Sequence, residues 1–520
     1  MADEATHREV ENLPLLIASI MLATLMQVVD TTIANVALPH MQGSLSATQD
    51  QISWVLTSYI VAAAIATPAT GWLATRMGRK HLLVISIAGF TVSSILCATA
   101  GSIGQMVVYR VLQGLFGAAL VPISQSSLLD SFPREKHGAA MALWGMGVMV
   151  GPILGPPLGG WLTQNYSWHW VFLINVPVGI LALLGVLASV PHDESRDSRF
   201  DWRGFVLLAV GVAALQLMLD RGNEADWLNS AEIKTELALT FLGFYLYFVH
   251  WRETREPFVD ISLLRDRNFA AANLFIFIIG VVLFATMALL PPYLQNLMDY
   301  PVITTGLILA PRGLGTLFAM VIVGRLLARG FDPRVLAATG IVAVAFSMWQ
   351  MAQFTADVPP WPVIEAGIIQ GVGLGLVFVP VSTMAYATLP MAARTEAASI
   401  YSLIRNVGSS VGISIVFTLV TRNTQVSHAS LVEQINRFRS TPLPPQLHLD
   451  TAAGIAALNG EVTRQAAAIA YVDDFWMITW MSLATIPLLL LFRVPKARRP
   501  AAPQSLPESL EEGAEAMPDH

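Results

Sequence analysis

Two residues stand out because their chemistry does not suit their surroundings. Asp30 lies in "LMQVVDTTIANVALP" and Arg110 in "YRVLQGLFGAA", both otherwise strongly apolar stretches. A charged side chain at the centre of a bilayer costs roughly 3 kcal/mol or more, so such residues usually pair with one another or face a water-filled path. A carboxylic acid can also gain and lose a proton, which a guanidinium effectively cannot. Burial disfavours a carboxylate's charge and a nearby guanidinium favours it. An acid beside an arginine, in a site whose hydration changes, is therefore suited to picking up and releasing protons. Three more charges are secondary candidates. Glu365 in "WPVIEAGIIQG" sits near the end of its apolar run, where it is expected to reach interfacial water. Arg312 in "LAPRGLG" and Arg405 in "SLIRNVGSS" lie deeper, and Arg405 is expected to snorkel toward the inner surface. The ten histidines show no metal-ligand spacing, and no Ser/His or paired-Asp constellation suggests an enzyme.

The elements that position these charges must be membrane helices. The chain has 520 residues, 54% hydrophobic and 13% charged, with a mean hydropathy of +0.58. Soluble domains carry about twice that charged fraction. A span needs roughly 20 apolar residues. Fourteen such segments are expected, near 14–38, 51–74, 81–101, 104–127, 139–161, 168–190, 204–219, 235–251, 269–292, 303–324, 335–354, 361–387, 398–421 and 473–492. They lack the alternation of barrel strands. The acidic start "MADEATHREVENLP" has no basic n-region or cleavage site, so the first segment is expected to remain as a helix. Cys97 is the sole cysteine, which excludes an intramolecular disulfide. Nothing points to nucleic acid.

Lys and Arg set the expected orientation. With both termini in the cytoplasm, the outer connections hold only Arg221, Lys234, Arg422, Arg437, Arg439 and Arg464 of the 30 basic residues. Helix 1 then runs outward to about Pro39, leaving Asp30 about 13 Å deep, and helix 4 runs inward, leaving Arg110 about 9 Å deep. The two charges share a level and are expected to pair.

The sequence also repeats. "QGLFGAALVPIS" from Gln113 is echoed by "QGVGLGLVFVPVS" from Gln370, and "GWLATRMGRK" from Gly71 by "GRLLARGFDPR" from Gly324. Both pairs are offset by about 255 residues. Parallel six-helix halves around a midplane site form a transporter architecture. Registering Gln113 on Gln370 sets Arg110 against Gly367, so the charge is not required by both halves.

Taken in order, these motifs resemble the major facilitator superfamily, and within it the 14-helix drug:proton antiporters. "GWLATRMGRK" resembles the loop motif between helices 2 and 3, with Gly71, Arg76, Gly78 and Arg79 at its marked positions. "YRVLQGLFGAA" resembles the helix 4 motif, "GVMVGPILGPPLGGWL" the helix 5 antiporter motif, and "VVDTTIANVALP" the helix 1 motif of the 14-helix group. "SWHWVFLINVPVGI" and "LQLMLDRGNEADWLNS" are similar to EmrB-like permeases of tripartite efflux pumps. One departure matters: Thr75 stands where the loop motif usually has an acid that helps hold the cytoplasmic side closed. Asp332 in the second copy is a candidate replacement.

The resemblance implies an all-α integral membrane fold, the major facilitator fold, with two six-helix bundles plus two inserted helices. The expected organisation is a cytoplasmic N-tail at 1–13, a first bundle at 14–190, a linker with the two extra helices at 191–268, and a second bundle at 269–492. The second bundle carries a long periplasmic loop at 422–472, and a disordered tail follows at 493–520. Within that loop, "TAAGIAALNGEVTRQAAAIAYV" is expected to form one or two short amphipathic helices. Gly147, Gly151, Gly155 and Gly159 make a small-residue stripe that lets another backbone approach closely, with Pro152 and Pro156 loosening the helix. In the resemblance this stripe seals the outer cavity. An adaptable pocket for lipophilic compounds would draw on Met and aromatic residues and a few polar groups. Candidates are Gln27, Gln113, Gln125, Phe277, Phe284 and Tyr293.

The expected function is proton-coupled export of lipophilic drugs and toxic compounds across the bacterial inner membrane, with Asp30 and Arg110 coupling the proton. The alternative is a proton-coupled exporter or importer of a specific metabolite on the same fold. No cofactor is expected, only the proton motive force. Expected partners are lipophilic small molecules, membrane lipids, a periplasmic adaptor (membrane fusion) protein and an outer-membrane channel.

Overall fold

A computed structural model describes residues 12–133, 136–191, 199–435 and 451–493. The expected N- and C-terminal tails and the turn segment "STPLPPQ" lie outside them, apart from residues 12, 13 and 493. Among the described residues the regular structure is entirely helical. The first half comprises α1 (Leu13–Ser44), α2 (Gln49–Ala66), α3 (Ala69–Met77), α4 (Arg79–Ala98), α5 (Ile103–Gly117), α6 (Leu120–Asp130), α7 (His137–Asn165), α8 (His169–Leu173) and α9 (Asn175–Ser189). Two linking helices follow, α10 (Trp202–Arg221) and α11 (Ala231–Glu253). The second half comprises α12 (Arg267–Pro292), α13 (Val302–Ala328), α14 (Pro333–Met351), α15 (Pro360–Tyr386), α16 (Arg394–Glu433) and α17 (Ala452–Ala484).

All fourteen expected segments are helical, but they are not equally suited to a bilayer. Among the described residues, twelve helices or near-continuous helix pairs are long and apolar enough to cross. The pair α2 and α3, bent by 57° at Thr67–Pro68, makes a thirteenth if counted as one span. The helix α11 falls short of that test. It carries Glu232, Lys234 and Glu236 in its first two turns and Arg252 and Glu253 at its end. It packs along α10, with Gly243 and Gly211 in backbone contact.

In the first half α1 packs on α7 and α9, and α5 on α2 and α4; in the second, α15 packs on α13 and α14, and α12 on α16. The halves meet along α7 and α13. The other seam is filled differently, because α10 lies against both α2 and α16. The repeated loops end alike. Gly78 and Gly330 close their helices at φ +80° and +85°, a backbone conformation that a side chain disfavours.

The expected long loop at 422–472 is corrected. The helix α16 continues to Glu433, and α17 begins at Ala452 as one continuous helix rather than short amphipathic pieces. Thr451 caps α17 by accepting from Gly454 N, and the alanine-rich sequence that follows has high helix propensity. His428 meets Asn459 at 3.1 Å, joining the two extensions.

The glycine stripe of α7 faces α1 rather than the opposite half. A Cβ at Gly151 would lie 2.9 Å from the Val28 carbonyl carbon, one at Gly159 would lie 3.0 Å from Ile33 O, and one at Gly155 would overlap the Thr32 hydroxyl. The other face of α7 carries Ile153 and Pro157 onto Gly313 and Gly306 of α13. Gly151→Val is expected to lower the thermal midpoint of the purified protein, since overpacking costs about 1–3 kcal/mol. Gly460→Ala, which meets nothing within 4 Å, should leave it unchanged. Tryptophan-monitored melting of both variants checks this.

Candidate functional site: a buried carboxylate and its four-helix cradle

Asp30 is fully buried at mid-height of α1. Three side chains from two other helices hold it. Arg110 Nη1 on α5 lies 2.7 Å from Oδ2. Gln113 Nε2, one turn further along α5, donates to Oδ1 at 2.9 Å, and Asn175 Nδ2 at the start of α9 donates to the same oxygen at 2.8 Å. The guanidinium is held in turn. Its Nε donates to Val55 O of α2 at 2.9 Å, and Nη1 also reaches Gln113 Oε1 at 2.8 Å. The Tyr59 ring lies 4.4 Å from the guanidinium carbon. Asn175 also donates to Ser94 Oγ at 3.0 Å, and that hydroxyl donates to Phe172 O at 2.9 Å. Arg110 Nη2 has no hydrogen-bond partner among the described residues.

The spacing of the sequence explains why these groups meet. Arg110 and Gln113 are three residues apart on a helix, so they share a face. The polar residues Ser94, Asn175 and Asp30 each interrupt an apolar run, and apolar runs bury such interruptions only where partners await them. The guanidinium's planar fork can serve a carboxylate and a backbone carbonyl at once, which a lysine could not do in this geometry. Chemically, the site can hold a negative charge or, with one added proton, a neutral acid among the same donors.

A second charged site lies at the loop-motif end. Asp130, closing α6, accepts from Arg79 Nη1 at 2.6 Å and from Arg394 Nη1 at 2.6 Å. Arg79 belongs to the first half and Arg394 to the second, so one carboxylate ties the halves together. Asp130 thus supplies the loop motif, through Arg79, with an acid that Thr75 does not provide. Asp332 does not fill that place, because it is exposed and caps α14 by accepting from Arg334 N at 2.8 Å. Nearby, Tyr386 Oη donates to Gln125 Oε1 at 3.1 Å across the halves, and Gly71 sits against the backbone of Glu396. Gly78 forms the turn between Arg76 and Arg79, and Arg76 is exposed.

Several candidate residues are placed elsewhere than a pocket. Gln113 belongs to the charge cluster and Gln125 to the seam between halves. Tyr293 is buried, donates to Thr355 O at 2.9 Å and packs on Tyr471 and Phe475. Phe277, Phe284 and Gln27 are half-buried on α12 and α1. Glu365 is exposed on α15. Arg312 sets its Cβ against Gly367, and its Nη2 is buried without a partner among the described residues. Gly371 meets the backbone carbonyl of Arg312 as its repeat mate Gly114 meets that of Tyr59, so Arg312 stands at the place of Tyr59, whose ring lies on Arg110. The second half therefore carries its arginine on the neighbouring helix. Arg405 is half-buried with a weak 3.5 Å contact to Asn406. Sequence reasoning missed Asn175 and Asp130, and also Asp474, which is buried in α17 with both oxygens unpartnered among the described residues. The twin acids of "YVDDF" at the edge of an apolar run were the available signal. Among the described residues no cluster of His, Cys, Asp and Glu could hold a metal.

This arrangement sits in a fold with known relatives. Residues 20–413 match the family described as the Major Facilitator Superfamily. The chain belongs to this superfamily. It is therefore a transporter and not an enzyme. As a superfamily member it is 36% identical over 485 residues to the fatty acid resistance protein FarB of Neisseria gonorrhoeae, covering 92% of this chain and 95% of that protein. It is 35% identical over 489 residues to the multidrug export protein EmrB of Escherichia coli K12, covering 91% and 94%. Among solved structures, the human organic anion transporter MFSD10 aligns with a TM-score of 0.58 at 14% identity, over 92% of this chain and all of that one. The proton:xylose symporter XylE aligns with a TM-score of 0.59 at 14% identity, over 92% and 94%. At that identity the two structures show the shared fold.

Two outcomes test the sites. Asp30→Asn and Arg110→Met each leave one buried charge without its counter-ion and should each cost about 3–5 kcal/mol of stability. The double variant should lose clearly less than the sum, which a double-mutant cycle of chemical unfolding in detergent measures. Asp130→Asn removes the charge that joins Arg79 to Arg394. It should speed thiol labelling of Gln125→Cys several-fold in a Cys97→Ala background.

Proposed function

We propose that the chain exports lipophilic and toxic compounds across the bacterial inner membrane in exchange for protons, by alternating access, with both termini in the cytoplasm. The observation that carries this reading is the Asp30 carboxylate, buried and held by Arg110, Gln113 and Asn175. A proton arriving from the acidic outer side neutralises Asp30 and weakens its hold on Arg110. The guanidinium keeps its bonds to Val55 O and Gln113 Oε1 but loses its counter-ion, and that uncompensated charge drives α1 and α5 to a new arrangement. Because α1 packs on the glycine stripe of α7, and α7 on α13, a shift of α1 is felt at the seam between the halves. Asp130 with Arg79 and Arg394 is the lock on the cytoplasmic side. The membrane potential adds about 2.3 kcal/mol per charge per 100 mV to the proton's driving force.

The relatives named for multidrug export and fatty acid resistance support a range of lipophilic substrates. A periplasmic adaptor and an outer-membrane channel complete the proposed pump. The extensions of α16 to Glu433 and of α17 from Ala452 offer the adaptor a helical surface beyond the apolar segments.

Everted vesicles acidified inside test the reading. Wild type should accumulate a lipophilic dye, and Asp30→Asn should not, with equal amounts of protein in the membrane. Gradient-driven uptake by Asp30→Asn at the wild-type rate would overturn the coupling role.

A further inference from the structure

The linking helix α10 creates a second polar site far from Asp130, in the seam between α2 and α16. A partly open cleft of about 220 Å³ lies there. Its polar wall includes Thr57, Gln216, Asp220, Glu224, Ser410 and Ser414. Asp220 accepts from the Thr57 hydroxyl, which fixes its carboxylate at the cleft wall. Gln216 is 2% exposed and its Nε2 has no hydrogen-bond partner among the described residues; Ser414 is 6% exposed and its Oγ has none either. Both are unsatisfied in the cleft wall: the Ser414 hydroxyl can accept from a ligand's N–H, whereas the Gln216 amide N–H is a donor that an acceptor such as water satisfies.

The charges around the cleft define what fits it. No Lys, Arg or His is among the described residues that line it. Arg221, next to Asp220, pairs with Glu232 at 2.8 Å and lies 5.6 Å from the Trp54 ring. Trp227, just past α10, donates to Thr418 Oγ1 of α16 at 3.1 Å, so the segment after α10 is anchored across the cleft. Ile60, Ile413 and Phe417 supply apolar surface beside the carboxylates. Acidic groups with a free hydroxyl, next to apolar and aromatic surface, match an ammonium group on a short hydrocarbon body.

We propose that the cleft between α2, α10 and α16 is a binding site for an organic ammonium ion, with Asp220 as counter-ion and the Ser414 hydroxyl as an accepting partner. The ligand is free or is the ammonium of a lipid headgroup, since the cleft lies at the lateral seam. On this view α10 does more than link the halves, because it supplies the acid that selects charge at one side opening. At the other seam α7 meets α13 directly. The inference is independent of the proton-coupling reading, because binding is measured without a gradient.

The test uses full-length protein in nanodiscs of phosphatidylglycerol and equilibrium binding of radiolabelled hexylammonium. Wild type should bind saturably, with hexanol and hexanoate competing at least tenfold more weakly than unlabelled hexylammonium. Asp220→Asn should weaken binding at least tenfold, Ser414→Ala about threefold, and Asp220→Glu should restore most of the loss. That rescue separates a charge role from simple misfolding. Displacement of the label by added phosphatidylethanolamine assigns the lipid headgroup as a ligand of the site; no displacement assigns free cations. Wild-type affinity in Asp220→Asn, or equal competition by hexanol, would overturn the proposal.

Discussion

The structure turns on a carboxylate kept out of water. Asp30 is sealed on all sides, and the free energy of burying its charge is recovered only because α5 and α9 bring donors to it. That requirement fixes much of the first half. The helix α5 must present Arg110 and Gln113 on one face, α9 must start at Asn175 beside α1, and α2 must turn the Val55 carbonyl inward. A buried pair of this kind is weak evidence for stability, since well-packed apolar residues often serve as well. Its presence in place of them points to a job for the charge.

The same constraint orders the rest of the fold. The glycines of α7 let α1 come close enough for Thr32 to donate to Gly151 O at 3.2 Å. The other side of α7 carries the seam with α13. Asp30 is therefore one helix away from the interface that must open and close, and the contact between them is backbone-close rather than cushioned by long side chains. Small-residue interfaces transmit displacement because little in them can be compressed. Asp130 differs: it is mostly buried rather than sealed, and its two arginines come from different halves, so its ion pairs act between the halves rather than within one.

Much of this was readable from the chain alone, and the failures have physical causes. Helix counting put Asp30 and Arg110 at one level because rise per residue is nearly constant, and the structure joins them at 2.7 Å. The partners Gln113 and Asn175 were harder. An amide in an apolar helix satisfies a charge, a substrate or another amide equally well, and only tertiary geometry decides; Gln113 was expected in a substrate pocket for that reason. Asp130 ends a helix, where acids are common and uninformative, so its bridge to Arg394, 264 residues away, could not be seen. The polar stretch after Arg422 suggested a loop because hydropathy reports membrane fit, not helicity. Alanine-rich polar sequence remains a good helix once it leaves the bilayer.

The two halves share a scaffold without sharing chemistry. The register that equates Gln113 with Gln370 puts glycine at the second-half place of Arg110, and the matching contacts of Gly114 with Tyr59 O and of Gly371 with Arg312 O put an arginine, Arg312, at that of Tyr59. In the first half the guanidinium reaches from α5 toward α2; in the second, Arg312 on α13 lies against Gly367 of α15. A cation is thus kept in each half, but among the described residues only the first half's is paired with an acid. Gln370 shows the consequence: fully buried like Gln113, it touches only a methionine sulfur and leaves its Oε1 unsatisfied among the described residues. A repeat that preserved packing alone would have had no reason to move the arginine. The asymmetry follows if one half manages a charge that changes while the other presents a fixed one.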